Sequence, residues 1–334
     1  MKAWRAFVAI LSLAACASNP TTAASSPRLQ WFDRVWSDFD LHYAFFELGG
    51  IDWNALGAIY RDSVQAATTG VETARLIGAM IGRLHDYHSN LITPAGSFGP
   101  PPIAYPQHFS PQIVRDNYLA DPSRPTASGR IYYARLQSGP GYVYIGSFEG
   151  QAWGAEIEQA LNDMSGIASL VIDIRNNGGG NEDNGIDIAA RLYDRSRVYR
   201  VSRYRNGSRH SDFAAPTESS LAPAGAVHFH GGVALITNRF NGSAAEDFML
   251  MMRALPSAVT VGDTTLGLGS NPLTLSLDNG WKYRISQSIQ STPDGFIYQW
   301  RGLPPAVPVP WSDAAAAGGH DPYLDAALAA LAKR

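Results

Sequence analysis

Gly232-Val233-Ala234-Leu235-Ile236-Thr237-Asn238-Arg239-Phe240-Asn241-Gly242-Ser243-Ala244-Ala245-Glu246 opens as an apolar run, crosses a short polar turn and enters a helix. An unbroken run of β-branched and aliphatic residues suits a strand covered on both faces. Asn and Gly supply the turn, and Ser243-Ala244-Ala245-Glu246 has the form of a capping box. Ser243 therefore stands at a strand–turn–helix corner. There its oxygen projects outward, beside unpaired N–H groups and the positive end of a helix dipole. Two roles are open to it: a plain helix cap, or a nucleophile with an oxyanion site alongside.

Outward from this corner, strands and helices alternate. Residues 142–145 and 169–174 read as strands, and 152–164, 186–192 and 243–255 as helices. Alternation of this kind predicts βαβ crossovers and an α/β core over 129–334. Short alternating runs at 273–277 and 281–286 flank Asp278-Asn279-Gly280 and predict an antiparallel hairpin against that sheet. Residues 322–331 close the core as a helix. Residues 29–95 read as a small helical domain, with Trp31, Val35, Phe39 and Tyr43 at helical spacing. A proline-rich connection at 96–128 joins the two units.

The composition is that of a packed protein: 45% hydrophobic and 16% charged over 334 residues, with a net charge of −3. With no basic surplus, no nucleic-acid partner is expected. Lys2 and Arg5 precede a short apolar stretch at 7–15, which reads as a secretion signal rather than a membrane span. Leu13-Ala14-Ala15-Cys16 looks like a bacterial lipobox, which makes 1–15 a lipoprotein signal peptide and Cys16 the lipidated residue. Residues 16–28 then form a flexible tether. The expected location is the cell envelope, lipid-anchored and facing the periplasm. Ala17 lacks the aspartate of inner-membrane retention, which favours the outer membrane. Cys16 is the only cysteine, so neither an intrachain disulfide nor a cysteine metal cluster is expected.

Two further stretches carry potential chemistry. Asp173-Ile174-Arg175-Asn176-Asn177-Gly178-Gly179-Gly180 follows a strand end, where α/β sheets place ligands, and its glycines can turn N–H groups toward an oxygen. It lacks a phosphate-loop lysine and the dinucleotide pattern, so no cofactor is expected. In Leu84-His85-Asp86-Tyr87-His88, the His88 imidazole could take a hydroxyl proton and return it to a leaving amine. His85 with His88, or His228 with His230, could also ligate a metal. No third ligand has convincing spacing, and no metal site is assigned.

Together these stretches resemble the C-terminal-processing (tail-specific) serine proteases, in their tricorn-like and interphotoreceptor-retinoid-binding-protein-like branch. The resemblance rests on Leu84-x-Asp86-x-His88, Asp173-x-Arg175-x-Asn177-x-Gly179-Gly180, Ser243-Ala-Ala-Glu246, Gly262-x-Thr264-Thr265-x-Gly267 and Gly302-Leu303-x-Pro305. It implies a mixed-sheet catalytic core of the crotonase-like or ClpP-like kind and a peptide or protein substrate. By the same resemblance Ser243 is the nucleophile, His88 the base, and Gly179 and Ala244 the oxyanion-hole donors. The lysine of the Ser–Lys branch has no counterpart, since Leu268 follows Thr265-Leu266-Gly267. No PDZ domain is expected between His88 and Gly141. The position that holds an orienting glutamate in the tricorn-like branch carries Gln299 here. An amide there can orient the ring but brings no charge, and restoring the carboxylate is expected to raise or preserve turnover. The alternative function is a catalytically weakened or inactive protein that binds a peptide or apolar ligand on the same scaffold.

Overall fold

A computed structural model describes residues 26–151 and 153–333; the signal segment and Cys16 lie outside the described residues. The apolar runs become the middle of a mixed sheet. Its strands are Arg124–Pro125, Ile131–Arg135, Gly141–Ile145, Ser169–Asp173, Gly232–Thr237, Ala258–Gly262 and Val307–Pro308, side by side in that order. The first two connections are antiparallel. The rest are parallel, with Val171 opposite Ala234 and Ala234 opposite Val259.

Both faces of the sheet are covered, which is why its central strands need no polar alternation. Leu170, Ile172, Val233 and Leu235 point to one face, under helices Trp153–Asp163, Glu182–Ala190 and Ala244–Ala254. Val171, Ala234 and Ile236 point to the other, where helix Pro322–Leu331 lays down Tyr323, Leu324 and Ala327. Asp321 caps that helix by accepting from Tyr323 N and Leu324 N.

The small N-terminal helical region is built on Pro27–His42, Trp53–Ala66 and Gly70–Gly82. Trp36 and Trp53 lock the first two, each indole N–H donating to the other's carbonyl. The end of this region departs from the helical expectation, because Asn90–Thr93 is a strand, and it pairs with Gly96–Phe98 at the start of the proline-rich connection. The hairpin Pro272–Ser276/Lys282–Ser286 forms as expected but does not join the main sheet. It pairs with Asn90–Thr93, Leu91 opposite Tyr283. The cause is its apolar face: Tyr283 and Ile285 are fully buried against Phe39, Ile77 and Ile81 of the helical region. A third sheet, unforeseen from the sequence, joins Ser288–Ser291, Arg197–Tyr204 and Thr217–Leu221. The chain from Asp263 to Gly302 thus runs between the main sheet and the helical region.

Candidate active site

Ser243 occupies the corner at the carboxyl end of strand Gly232–Thr237, with φ 55° and ψ −127°. Such a backbone is rare for a residue with a side chain and costs about 1–3 kcal/mol, so its surroundings must enforce it. They do so through Glu246. The glutamate half of the capping box forms, with Ser243 N donating to Glu246 Oε2 at 3.1 Å. In the serine half, Glu246 N donates to the Ser243 carbonyl at 2.7 Å, and the Ser243 hydroxyl makes no well-formed cap bond. The hydroxyl is left half-buried and available.

Glu246 is fully buried and reaches a second segment. It accepts from Thr265 Oγ1 at 2.5 Å, Gly267 N at 2.8 Å and Leu268 N at 2.7 Å. Burial lifts its carboxyl to about 7, against the pull of these donors and of Ser243 N. Thr265 Oγ1 also accepts from Leu303 N at 2.8 Å. A Cβ on Gly302 would sit 2.1 Å from the Thr265 carbonyl oxygen, so only glycine permits this crossing. Three of the sequence motifs therefore meet at one carboxylate.

The glycine run approaches from the neighbouring strand. A Cβ on Gly179 (φ 107°) would lie 2.7 Å from Gly242 O, 2.9 Å from Ser243 Cβ and 3.1 Å from Ala244 N. Gly179 is thus pressed against the elbow, but its N–H is engaged, donating to Asn177 Oδ1 at 2.9 Å. This departs from the expectation of a ready pair of oxyanion donors. The Ala244 N–H, first in its helix, makes no hydrogen bond among the described residues. Asparagines tie the two turns together: Asn241 Nδ2 donates to Ile174 O and Asn177 O, and Asn238 exchanges bonds with Asn176.

Below them, Arg175 is 0% exposed between Asp173 (2.6 Å) and Asp321 (2.8 Å) and lies 4.3 Å over the Phe109 ring. Burial opposes its charge, but the two carboxylates prevail and raise its pKa. The Asp-x-Arg motif is thus a strut under the site rather than a reacting pair.

His88 is 4% exposed. Burial drives its pKa down to about 4, Asp86 works against that fall, and Arg284 deepens it. The ring is therefore neutral at ordinary pH, as a base must be. Its Nδ1 is buried with no hydrogen-bond partner among the described residues. Gln299, expected to hold His88, bonds elsewhere: Oε1 accepts from Gly269 N at 2.8 Å, and Nε2 donates to Asp86 Oδ1 at 3.4 Å. Asp86 in turn accepts from His88 N and Ser89 Oγ. Two left-handed residues flank this cluster, His85 (φ 50°) and Trp300 (φ 59°), joined by a bond from Trp300 Nε1 to His85 O. Among the described residues no hydrogen bond joins the His88 ring to the Ser243 hydroxyl. Segment 265–269 links their surroundings, with Leu268 N on Glu246 and Gly269 N on Gln299. His228 and His230 stack at 6.0 Å, with His230 near Ser169 and Gly232 at the opposite, amino ends of the strands.

Residues 139–309, which include Ser243 and the glycine run, match Peptidase family S41. The chain belongs to that family. Residues 27–82 match the tricorn protease C1 domain, and His88 falls between the two matched segments. The C-terminal processing peptidase, chloroplastic, of Tetradesmus obliquus is 25% identical over 203 residues, 59% of this chain and 42% of that protein. The carboxy-terminal processing protease CtpA of Bacillus subtilis is 23% identical over 198 residues, 59% of this chain and 40% of that protein. The chain thus spans less than half the length of these curated relatives. A solved structure from Parabacteroides merdae is 27% identical with a TM-score of 0.78, covering 90% of this chain and 95% of that one. The tricorn protease shares the fold, with a TM-score of 0.60 at 16% identity over 92% of this chain and 36% of its own.

Sequence reasoning passed over Asn238, Asn241, Asp321 and the outward reach of Glu246. Asn238 and Asn241 offered a signal, as amide residues beside a serine corner. Asp321 offered one as the residue before a Pro-led helix.

Proposed function

We propose that this chain is a serine-type peptidase that cleaves peptide or protein substrates by a Ser–His mechanism. The Ser243 oxygen bonds the scissile carbonyl carbon while its proton passes to His88. The imidazolium then gives that proton to the departing amine as the C–N bond breaks, and water repeats the sequence on the acyl group. Ala244 N–H receives the oxyanion. Gly179 N–H joins it by exchanging the neutral Asn177 amide oxygen for a charged and therefore stronger acceptor. The observation that carries this reading is the strained Ser243 elbow, with its hydroxyl in no well-formed cap bond and an unpaired N–H beside it.

We further propose that the mature chain is anchored through a lipid on Cys16 and faces the periplasm from the outer membrane. Support comes from the charged, apolar and Leu13-Ala14-Ala15-Cys16 order of its first residues. The test is one set of variants probed with a fluorophosphonate, labelled casein and a palmitate analogue. Ser243→Ala and His88→Ala should each abolish cleavage in a folded protein, and Cys16→Ala should abolish lipid labelling. A Ser243→Ala variant as active as the parent would sink the peptidase reading. Failure of the parent to react with the fluorophosphonate would favour the non-catalytic binding protein, the reading that Gln299 invites.

A further inference from the structure

Asp86 is a buried carboxylate to which the mechanism above gives no role. It is 0% exposed and makes no salt bridge among the described residues. Its hydrogen-bond partners are uncharged polar groups rather than cations. Oδ1 accepts from His88 N at 3.0 Å and from Gln299 Nε2 at 3.4 Å, and Oδ2 accepts from Ser89 Oγ at 2.8 Å. Ser89 Oγ in turn accepts from Ser286 N at 3.3 Å. Leaving a charge this deep without an ion pair is costly, so a fold that keeps one needs a reason. Three titratable groups from separate elements interact with it electrostatically: the His88 ring on its own loop, Arg284 on strand Lys282–Ser286, and the buried Tyr43 hydroxyl after helix Pro27–His42.

Gln299 explains itself in this setting. Its amide is used with both polarities at once, accepting from Gly269 N–H and donating to Asp86. An ionised glutamate can only accept, and at 299 it would set a second carboxylate against Asp86, where both cannot ionise cheaply.

We propose that Asp86 is the positioning residue that supplies negative charge to the His88 imidazolium, with Gln299 as the neutral clamp fixing Asp86 to the loop at Gly269. The charge borne by residue 299 in the tricorn-like pattern is thereby moved to 86. Of the sequence expectation that Gln299→Glu raises turnover or leaves it intact, the gain is accordingly no longer expected. This rests on the peptidase reading, and the sign of the pH effect follows from the charges. Asp86 favours the protonated ring and Arg284 disfavours it, while Tyr43 stays neutral because burial raises its pKa. Removing the Asp86 charge therefore lets His88 stay neutral to lower pH, yet slows attack because the imidazolium loses its partner.

The test compares the parent, Asp86→Asn, Gln299→Glu and the double variant, following the fluorophosphonate labelling rate of the full chain against pH. Asn keeps the acceptor for His88 N and can accept from or donate to Ser89 Oγ, so a folding defect is not built in. Asp86→Asn should label on the order of tenfold or more slowly, with its acid midpoint moved to lower pH. Gln299→Glu alone should be no faster than the parent. The double variant, with the charge returned to 299, should recover most of the lost rate. Parental rate and midpoint in Asp86→Asn would overturn the proposal, as would a double variant no faster than Asp86→Asn. If Asp86→Asn fails to fold, Gln299→Glu decides alone, since labelling faster than the parent contradicts the proposal and labelling at or below it agrees. An unlabelled parent would instead overturn the peptidase reading itself.

Discussion

Replacing Glu246 with alanine asks what holds the serine elbow in its unfavourable backbone. The carboxylate accepts from Ser243 N, Thr265 Oγ1, Gly267 N and Leu268 N, all converging on a fully buried group. A buried donor stripped of its acceptor costs about 1–3 kcal/mol. Water entering the vacated space can satisfy roughly two of the four, which leaves a net loss of about 3–5 kcal/mol. For a chain of this size, that corresponds to a fall in melting temperature on the order of 10 °C. The measurement is thermal unfolding by circular dichroism at pH 6, with fluorophosphonate labelling of Ser243 well below the transition. The pH matters because burial lifts the folded-state pKa to about 7 from the ordinary 4.5. The folded protein then holds this proton more tightly than the unfolded chain. The contribution is full below about pH 4.5 and is lost as pH rises through 7. The gap between parent and variant should therefore narrow toward pH 8. Labelling should fail in the folded variant, because the Ser243 backbone is released to relax. A loss under about 1 kcal/mol together with parental labelling would refute this account of the elbow.

Two other substitutions probe the supports of the site. Arg175→Leu leaves Asp173 and Asp321 facing each other, both wholly buried, and should cost about 3–5 kcal/mol in urea unfolding. The deficit should grow with pH as the orphaned carboxylates ionise, and an unchanged urea midpoint would contradict the strut role. Gly179→Ala drives a methyl to 2.7 Å from Gly242 O and 2.9 Å from Ser243 Cβ, at a φ of 107°. It should lose at least ~2 kcal/mol and nearly all fluorophosphonate reactivity. Retention of parental reactivity would show that the glycine turn does not shape the oxyanion site.

Much of the core was legible because its signals are local. The run at Gly232–Thr237 and the helix Pro322–Leu331 appear where residue pattern and punctuation put them. The Pro272–Ser276/Lys282–Ser286 hairpin was legible as a hairpin, but its sheet was not. Its partner strand pairs Asn90 with Arg284 across most of the chain, and no window of sequence contains both. Strand Arg197–Tyr204 was hidden for another reason: Arg200 is buried by pairing with Glu182 and Asp247, so the strand lacks the apolar signature of a covered one. At the site, Ser243 and His88 were visible as residue types. Glu246 was visible only as a cap, because its other three donors lie some twenty residues downstream.

The same contrast accounts for Gln299. Read against a motif, an amide in place of a carboxylate is a defect, because the motif compares one position at a time. In the folded chain, position 299 is bracketed by a donor, Gly269 N–H, and an acceptor, the Asp86 carboxyl. Only a side chain that both accepts and donates satisfies that pair without adding a second anion. Whether residue 299 should carry charge is thus decided by what stands at 86. The two left-handed residues that present this pair, His85 and Trp300, are held to each other by a hydrogen bond. Strain at the histidine end is therefore restrained much as Glu246 restrains it at the serine end. The loop that touches both ends, 265–269, makes the neutral, deeply buried His88 and the half-buried hydroxyl of Ser243 parts of one mechanical unit. Loosening that loop should disable both before either side chain is altered.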